Sequence, residues 1–374
     1  VRVHIVDPSA FTPPYDHALS AALARAGADV TLVTSHFAYG PVPRQDGYAL
    51  AERFYRRAVG PPGSKRRLAA KLVQHVPDML AYRRSVTADR VDVVHFQWLT
   101  IQHLDAALLP RDRPVVITAH DVLPREPRPG QRAAQRRLYH HADAIVVHSQ
   151  HGRRRLIAEV GVEPEKVNVI PHGAFTHLVD QPDPVPLPEE LRAVDKPVVL
   201  CFGLIRPYKG VDVLLEAWAG IDDAELWIVG MPRVPLEPLR QAAPPGVRFV
   251  PRFVTDPEIP AFFDRADLVV LPYREIDQSG VLATALAFGS PLLMTSVGGF
   301  PEVAATGAGT LVAPGDPDGL RAELRRLLAD PAERERLGRA AAAAAAGPFA
   351  WDTVARAHLD LYERLTGGDA REET

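Results

Sequence analysis

PVVLCFGLIRPYKGVDVLLEAW, residues 197–218, passes through three textures. Residues 197–202 are an unbroken apolar run, the pattern of a strand buried on both faces of a parallel sheet. Residues 211–218 have the spacing of a helix packed back onto that strand. Between them Gly203 and Gly210 bracket Arg206 and Lys209. A strand handing over to a helix in this way begins a βαβ unit. Its turn is a common seat for phosphate, because backbone N–H groups and the helix dipole face the anion there. Two solvated loop cations are the plain alternative. The strand–glycine–loop–glycine–helix context favours the anion, since only glycine lets a backbone approach a ligand closely.

Read outward, the same alternation fills most of the 374-residue chain and marks it as α/β with parallel sheets. VRVHIVD opens the chain as a first strand; an Ala- and Leu-rich helix, Ala18–Ala26, stops at Gly27 before the strand ADVTLVT. Residues 64–88 form a basic, partly apolar helical region, and VDVVHF (91–96), PVVITAH (114–120), DAIVVHS (143–149) and VNVIP (167–171) complete a first series. QPDPVPLPEE, residues 181–190, holds four prolines and sustains neither helix nor sheet ladder, so it reads as a linker. Beyond it PVVLCF is followed by AELWIVG (224–230), VRFVPRF (247–253), DLVVLPY (267–273), SPLLMT (290–295) and GTLVA (309–313). AERERLGRAAAAAAAG is a helix ended by Gly347 and Pro348, FAWDTVARAHLDLYERL (349–365) is one more amphipathic helix, and GGDAREET reads as a frayed tail. The expected domains are residues 1–178 and 179–348.

Composition narrows the class. A hydrophobic fraction of 47% is enough for large cores and argues against disorder. Cys201, the one cysteine, lies within a predicted strand and reads as a small core residue. A lone thiol rules out a disulfide framework and fits a reducing cytosol. No apolar run reaches the roughly 18 residues of a membrane span, and the N-terminus reads as a strand and not a signal peptide. A cytoplasmic protein is expected. The net charge of −3 is unevenly spread: residues 1–180 carry 24 Lys/Arg against 17 Asp/Glu, the remainder 19 against 29. The basic first half suits an anionic partner. Its densest part, RFYRRAVGPPGSKRRLAAKL (53–72), is either a solvated face or a peripheral contact with anionic lipid on the inner face of a membrane. No nucleic-acid module is recognisable. Fourteen histidines raise the question of metal, yet none pairs at HxxxH spacing with a nearby acid and no DxD follows a strand, so no metal is expected.

A second anion seat is written in DQSGVLATALAFGSP, residues 277–291. VLATALAFG is a helix stopped by Gly289, so Ser279, Gly280 and the next N–H groups open a helix N-terminus. Ser279 is also an ordinary N-cap, and the two roles are compatible. In the first half HFQW ends a strand; His95, Gln97 and Trp98 offer an aromatic face beside hydrogen-bonding groups, which suits a sugar or polyol acceptor, with ordinary packing as the alternative. PSAFTPPYDH, residues 8–17, is the loop after the first strand, with Tyr15, Asp16 and His17 as candidate acceptor contacts.

FGLIRPYKG, LWIVG, ADLVVLPY, SGVLATALAFGSPLLMTSVGGFPEV and TLVAPGD, in this order and spacing, resemble the C-terminal half of a retaining, family-4-type glycosyltransferase of the GT-B fold, one of the glycosyl transferases of group 1. ALARAGADVTLVT, VVITAHDVLP, AIVVHSQ and VIPHG resemble its N-terminal half, so the likeness runs from residue 1 to about 365. The implied fold class is α/β: two Rossmann-like domains with parallel sheets facing a central cleft, the N-terminal one completed by the helix 349–365 carrying Trp351. In similar enzymes an arginine and a lysine of the loop that here holds Gly203 bind the donor diphosphate. Lys209 matches the lysine; Arg206 sits two places beyond the usual arginine, where this chain has Leu204. Many members bracket the second loop, here Asp277, Gln278, Ser279, Gly280 and Val281, with two glutamates seven apart. Here the second place is Thr284 and the first falls at or near Ile276, with Asp277 beside it, and a threonine is a neutral, weaker partner for a ribose. The base is read near Gly230 and residues 251–254, which include Arg252 and Phe253. His120, closing PVVITAH, matches a histidine facing the donor sugar, with capping or packing as its plain alternative. His172-Gly173 resembles a hinge motif, and Pro13-Pro14 stands where many relatives have a Gly-Gly pair and stiffens that loop.

The resemblance implies a hexosyltransferase that moves a hexose with retention from a nucleotide sugar, UDP ahead of GDP, to a hydroxyl acceptor. The nucleotide sugar is a substrate, and no cofactor is expected. Arg206 and Lys209 would stabilise charge on the departing diphosphate, and His120 would orient the sugar. Two rivals stand beside it. A nucleotide-sugar epimerase on the same fold would want acidic and histidine pairs in the sugar pocket. A non-catalytic support subunit is favoured by the missing glutamates. The acceptor classes in view are a lipid-linked sugar, an aminocyclitol and a natural-product aglycone.

Overall fold

The computed structural model describes residues 1–38, 40–124 and 129–367; the tail read as frayed lies, beyond Gly367, outside the described residues. The chain divides into two compact units. One holds Val1–Gly173 and the C-terminal segment from Trp351, the other Ala174–Ala350.

In the first unit β1 (Arg2–Asp7), β2 (Asp29–Ser35), β3 (Ala49–Phe54), β4 (Val93–Phe96), β5 (Val115–Thr118), β6 (Ala144–Val147) and β7 (Val167–Val169) form one sheet in the order β3-β2-β1-β4-β5-β6-β7. Every pairing is parallel; Val3, for example, lies opposite Val30 on one side and Val93 on the other. Parallel neighbours need crossovers, and α1 (Pro13–Arg25), α2 (Lys65–Ala88), α3 (Gln102–Leu108), α4 (Gln131–His141) and α5 (Gln150–Arg155) lie in them. In the second unit the strands β8 (Val198–Phe202), β9 (Glu225–Val229), β10 (Val247–Val250), β11 (Leu268–Leu271), β12 (Leu292–Thr295) and β13 (Gly309–Val312) pair in parallel in the order β10-β9-β8-β11-β12-β13. Its helices are α6 (Glu189–Arg192), α7 (Val211–Trp218), α8 (Glu237–Ala242), α9 (Ile259–Arg265), α10 (Gly280–Ala287), α11 (Phe300–Ala304), α12 (Pro317–Ala329) and α13 (Pro331–Ala346). The last helix, α14 (Trp351–Gly367), packs on α1 of the first unit.

The apolar runs form strands because both faces of each sheet are covered. In β8, Val198 and Leu200 enter one core while Val199 and Cys201 enter the other. Each fully buried Val or Leu contributes roughly 1.5–3 kcal/mol. Cys201 is thus a core residue, its thiol pushed up to about 11 by burial.

Four local readings change. β3, ALAERF, has no apolar run and sits at the sheet edge, partly covered, so its sequence carries no buried-strand signal. Residues 13–17 are not loop: Pro13 and Pro14 open α1, where a missing N–H costs nothing and a fixed φ is already helical. The basic stretch 53–72 is not one helix; Arg53 and Phe54 end β3, and α2 starts at Lys65 behind Ser64, whose Oγ accepts the Arg67 N–H at 3.3 Å. The proline-rich stretch is not a free linker. Val185 N–H donates to the Pro257 carbonyl, and Leu187 and Leu191 enter the second unit's core together with Ala174 and Leu178, so the changeover falls after Gly173, not after residue 178. Among the described residues no helix is long and apolar enough to cross a membrane.

Candidate functional site

In the second unit the strand order reverses at β8, between β9 and β11. Open parallel sheets seat ligands outside the carboxyl ends of their strands at such a point. Both expected anion loops leave from there, one after β8 and one after β11. Gly203 (φ 102°) starts the first; Arg206 is extended; Pro207–Lys209 make a 3-10 turn; Gly210 (φ 66°) turns the chain into α7. The two cations are not equivalent: Arg206 is exposed, whereas Lys209 is 7% exposed. Burial works against the Lys209 charge, but Tyr273, then Tyr208 and Cys201, outweigh it and raise the pKa. The groups acting most strongly on it are phenols and a thiol, not carboxylates.

The glycines serve packing of the chain on itself, a correction to the expected close approach of a ligand. A Cβ on Gly210 would lie 2.0 Å from the Pro272 carbonyl oxygen, and one on Gly230 2.0 Å from that of Gly203. A Cβ on Gly203 would lie 2.8 Å from Lys209 Nζ and 2.9 Å from Val281 Cγ2, which places the ammonium and the first turn of α10 around one point. Ser279 caps α10, its Oγ accepting the Leu282 N–H at 3.3 Å. Helix geometry leaves the N–H groups of Gly280 and Val281 open beside it.

Tyr273 joins the two loops and was not singled out by sequence. It is fully buried, its ring centroid lies 5.0 Å from Lys209 Nζ, and its hydroxyl is 3.5 Å from Ser279 Oγ. Its only sequence signal is its place at the end of DLVVLPY. Arg274 next to it donates to the Pro207 carbonyl at 2.9 Å and pairs with Asp212 at 2.6 Å, bracing the Lys209 turn.

The other expected donor contacts are unevenly disposed. Asp277 is buried, and Gln278 keeps a buried Oε1 with no partner. Thr284 donates its hydroxyl to the Gly280 carbonyl at 2.9 Å, so its proton is committed to the helix backbone. Arg252 is committed to Glu258 at 2.7 Å and to the Phe253 carbonyl at 3.0 Å, while Phe253 is 58% exposed. Gly230 N–H donates to the Val250 carbonyl at 3.0 Å.

The first unit reverses its strand order at β1, between β2 and β4. His120 follows β5, buried, its ring stacked on Trp98 with centroids 5.0 Å apart and meeting Tyr15 edge-on at 4.8 Å. Trp98 is held by its indole N–H donating to Thr12 Oγ1 at 2.9 Å. Gln97 is buried, and neither amide atom has a hydrogen-bond partner among the described residues. Gln97, Trp98 and His120 line a cavity of about 170 Å³ with Thr118, Gln131 and Gln135. Burial first, then His148, His172 and His95, hold the His120 pKa well below its ordinary value.

Tyr15 belongs to this cluster; its hydroxyl is buried without a partner, and its ring also meets His172 at 4.8 Å and Trp351 at 5.3 Å. Gly173 is required beside them, since a Cβ there would lie 2.4 Å from the Trp351 ring. Asp16 and His17 point elsewhere and line a second cavity of about 220 Å³ with Thr34, Ser35, His36 and Glu52. His17 is bonded to the Tyr48 hydroxyl. Burial first, then the neighbouring Asp7, push the Asp16 pKa well above its ordinary value. Asp7, another residue that sequence reading passed over, accepts the N–H groups of Ser9 at 3.1 Å and Thr12 at 3.2 Å and shapes the turn into α1.

His95 departs from expectation. It is wholly buried, with Nδ1 bonded to the Tyr362 hydroxyl and Nε2 to Thr118 Oγ1, each at 2.7 Å. Both ring nitrogens are taken by protein, so His95 ties α14 to the sheet and is not an acceptor contact. Among the described residues no group of three or more His, Cys, Asp or Glu is placed to hold a metal ion.

Residues 196–330 match the family model described as Glycosyl transferases group 1, and residues 15–177 that described as Glycosyltransferase Family 4. A D-inositol 3-phosphate glycosyltransferase of Kineococcus radiotolerans is 30% identical over 329 residues, covering 77% of this chain and 70% of that one. Among solved structures, sucrose-phosphate synthase from Thermosynechococcus elongatus superposes with a TM-score of 0.76 at 20% identity, covering 98% of this chain and 99% of that one. HepE of Anabaena, solved in complex with UDP-glucose, superposes with a TM-score of 0.73 at 20% identity, covering 97% and 100%.

Proposed function

Because the chain belongs to glycosyltransferase family 4, the group 1 glycosyl transferases of GT-B fold, we propose that it transfers a hexose, with retention, from a nucleoside diphosphate sugar to a hydroxyl acceptor without a metal ion. One observation carries the reading: Lys209 is a buried ammonium whose strongest neighbours are the phenols of Tyr273 and Tyr208 and the Cys201 thiol, not a carboxylate. These groups hold the charge without neutralising it, and a diphosphate supplies the counter-charge. As the bond from the anomeric carbon to the diphosphate oxygen breaks, negative charge grows on that oxygen. Lys209 and the N–H groups of Gly280 and Val281 stabilise it, with Arg206 adding charge from its exposed position. The acceptor oxygen bonds to the carbon from the vacated face, and its proton passes to the leaving phosphate oxygen. His120, held neutral by burial, orients a sugar hydroxyl and does not move the acceptor's proton in this scheme.

UDP is the first nucleotide to test and GDP the second. With Arg252 committed to Glu258, the base is read by backbone near Gly230 and residues 251–254. Gln97 and Trp98 are assigned to the acceptor, and the name of the Kineococcus relative supports a cyclic polyol. We assign peripheral contact with anionic lipid to α2, where Leu68, Leu72 and Val73 are 60%, 54% and 78% exposed among Lys65, Arg66 and Lys71. Co-sedimentation with phosphatidylglycerol vesicles but not phosphatidylcholine vesicles is expected; equal recovery with both would remove this contact.

The donor site is tested by melting curves with UDP, GDP, ADP and TDP on the wild type and on Arg206→Ala/Lys209→Ala. A diphosphate at about a hundred times its Kd adds roughly 2.7 kcal/mol, a shift of a few degrees. One nucleotide should raise the wild type and leave the double variant unmoved. A flat response to all four overturns the reading. A second reading, a donor-binding subunit without turnover, draws on Thr284, whose hydroxyl is committed to Gly280. Binding without nucleotide release in the presence of acceptor extracts would favour it.

A further inference from the structure

We propose that His148 is a positioning residue that sets the tautomer of His120 and so presents His120 Nε2 to the substrate as a bare hydrogen-bond acceptor. His148 Nδ1 lies 3.0 Å from the Ile170 carbonyl oxygen. That oxygen has no proton to give, so Nδ1 carries one and donates it. A neutral imidazole then has its lone pair on the other nitrogen. His148 is neutral near pH 7, because burial holds its pKa down to about 4. Its Nε2 therefore accepts, and the atom facing it is His120 Nδ1, at 3.2 Å. His120 donates from Nδ1, which leaves its own Nε2 without a proton.

The rest of the cluster keeps this polarity from reversing. His120 is sandwiched between the Trp98 face (centroids 5.0 Å apart, 11° between planes) and the Tyr15 edge (4.8 Å, 89°), which resists turning of the ring. His172, whose ring meets that of His148 at 5.3 Å, bonds through Nδ1 to the Gly173 carbonyl and sends no proton toward His148 from that atom. His120 Nε2 is buried and has no hydrogen-bond partner among the described residues. A buried acceptor without a donor is unusual and points to a group supplied from outside. That group must be a donor, which a sugar hydroxyl is and an ether or carbonyl oxygen is not. Gln97, unpartnered at both amide atoms, lines the same cavity and can serve the same hydroxyl-rich ligand. The Ile170 carbonyl thus fixes, through two imidazoles, what a distant ring nitrogen offers the substrate.

The inference rests on the reading of His120 as a sugar contact, and the test separates the two. Long-range ¹H–¹⁵N spectra of the ¹⁵N-histidine-labelled full chain report which ring nitrogen of His120 is protonated, independently of turnover; the His120→Asn spectrum assigns the signal. The wild type should show His120 protonated on Nδ1. His148→Leu should move a substantial fraction of the proton to Nε2 and lower kcat about tenfold, the size of one lost hydrogen bond. His148→Gln, whose Oε1 can accept from His120 Nδ1, should restore both tautomer and rate. Protonation of His120 on Nε2 in the wild type, or an unmoved tautomer in a folded His148→Leu, would overturn the proposal. A moved tautomer with unchanged transfer would leave the tautomer assignment standing and sink the sugar-contact role of His120.

Discussion

Replacing Lys209 with methionine should cost the free protein a little stability and cost ligand binding far more. The shorter apolar chain fits the space bounded by Gly203, Val281 and the Tyr273 ring. Without ligand it removes an ammonium whose raised pKa shows that Tyr273, Tyr208 and Cys201 more than offset its burial. A net-favoured charge contributes stability, so the free variant should lose about 0.5–1.5 kcal/mol, the worth of one hydrogen bond. At 2–4 °C per kcal/mol for a unit of this size, the melting point should fall by roughly 1–6 °C. With ligand, the variant loses a charge-assisted hydrogen bond of about 1.5–3 kcal/mol. That is roughly a 10- to 150-fold weaker Kd for the nucleoside diphosphate. Turnover should fall further, by about 10² to 10³, since the charge on the leaving oxygen is largest in the transition state. Scanning calorimetry on the free variant and titration calorimetry with UDP measure the two halves. A variant that binds UDP within threefold of the wild type would refute the reasoning. It would make Lys209 a structural partner of Tyr273.

Three further outcomes follow from particular residues. His148 and His358 have folded pKa values lowered to about 4, and His172 to about 3, all by burial, from 6.5 in the unfolded chain. Between those values the unfolded chain binds more protons, so the first unit should be fully stabilised above pH 6.5 and lose about 1.4 kcal/mol per pH unit per histidine as the pH falls toward 4; urea melts at pH 7 and 5 check the sign. Ala10 holds φ at 52°, a region that suits glycine, so Ala10→Gly should stabilise by about 0.5–1 kcal/mol, and an unchanged or lower urea midpoint would contradict that. Thr284→Val should change the UDP Kd by less than about threefold, because the hydroxyl proton already serves Gly280; a tenfold loss would show that the ribose uses it.

The sequence by itself determined the two parallel sheets and the place of the two loops that follow β8 and β11. Runs such as VVLCF and LVVL carry enough apolar surface to be buried on both faces wherever they fold, and a strand–turn–helix unit puts its turn at the sheet's carboxyl edge. The placement of Lys209 and Ser279 at that edge was therefore legible. What it could not show is which partners meet across the chain. Ala49–Phe54 becomes a strand only because β2 offers its edge. Leu187 and Leu191 draw a proline-rich segment into the second core against its local signal. His95 looked like a ligand contact until Tyr362, far along the chain, took its Nδ1. Gly210 and Gly230 make room for backbone carbonyls that no local pattern announces. Tyr273, His148 and the tautomer of His120 were likewise decided by tertiary structure. Periodicity reports how a segment buries itself against an apolar surface, whereas the direction of a hydrogen bond depends on the group that folding brings opposite it.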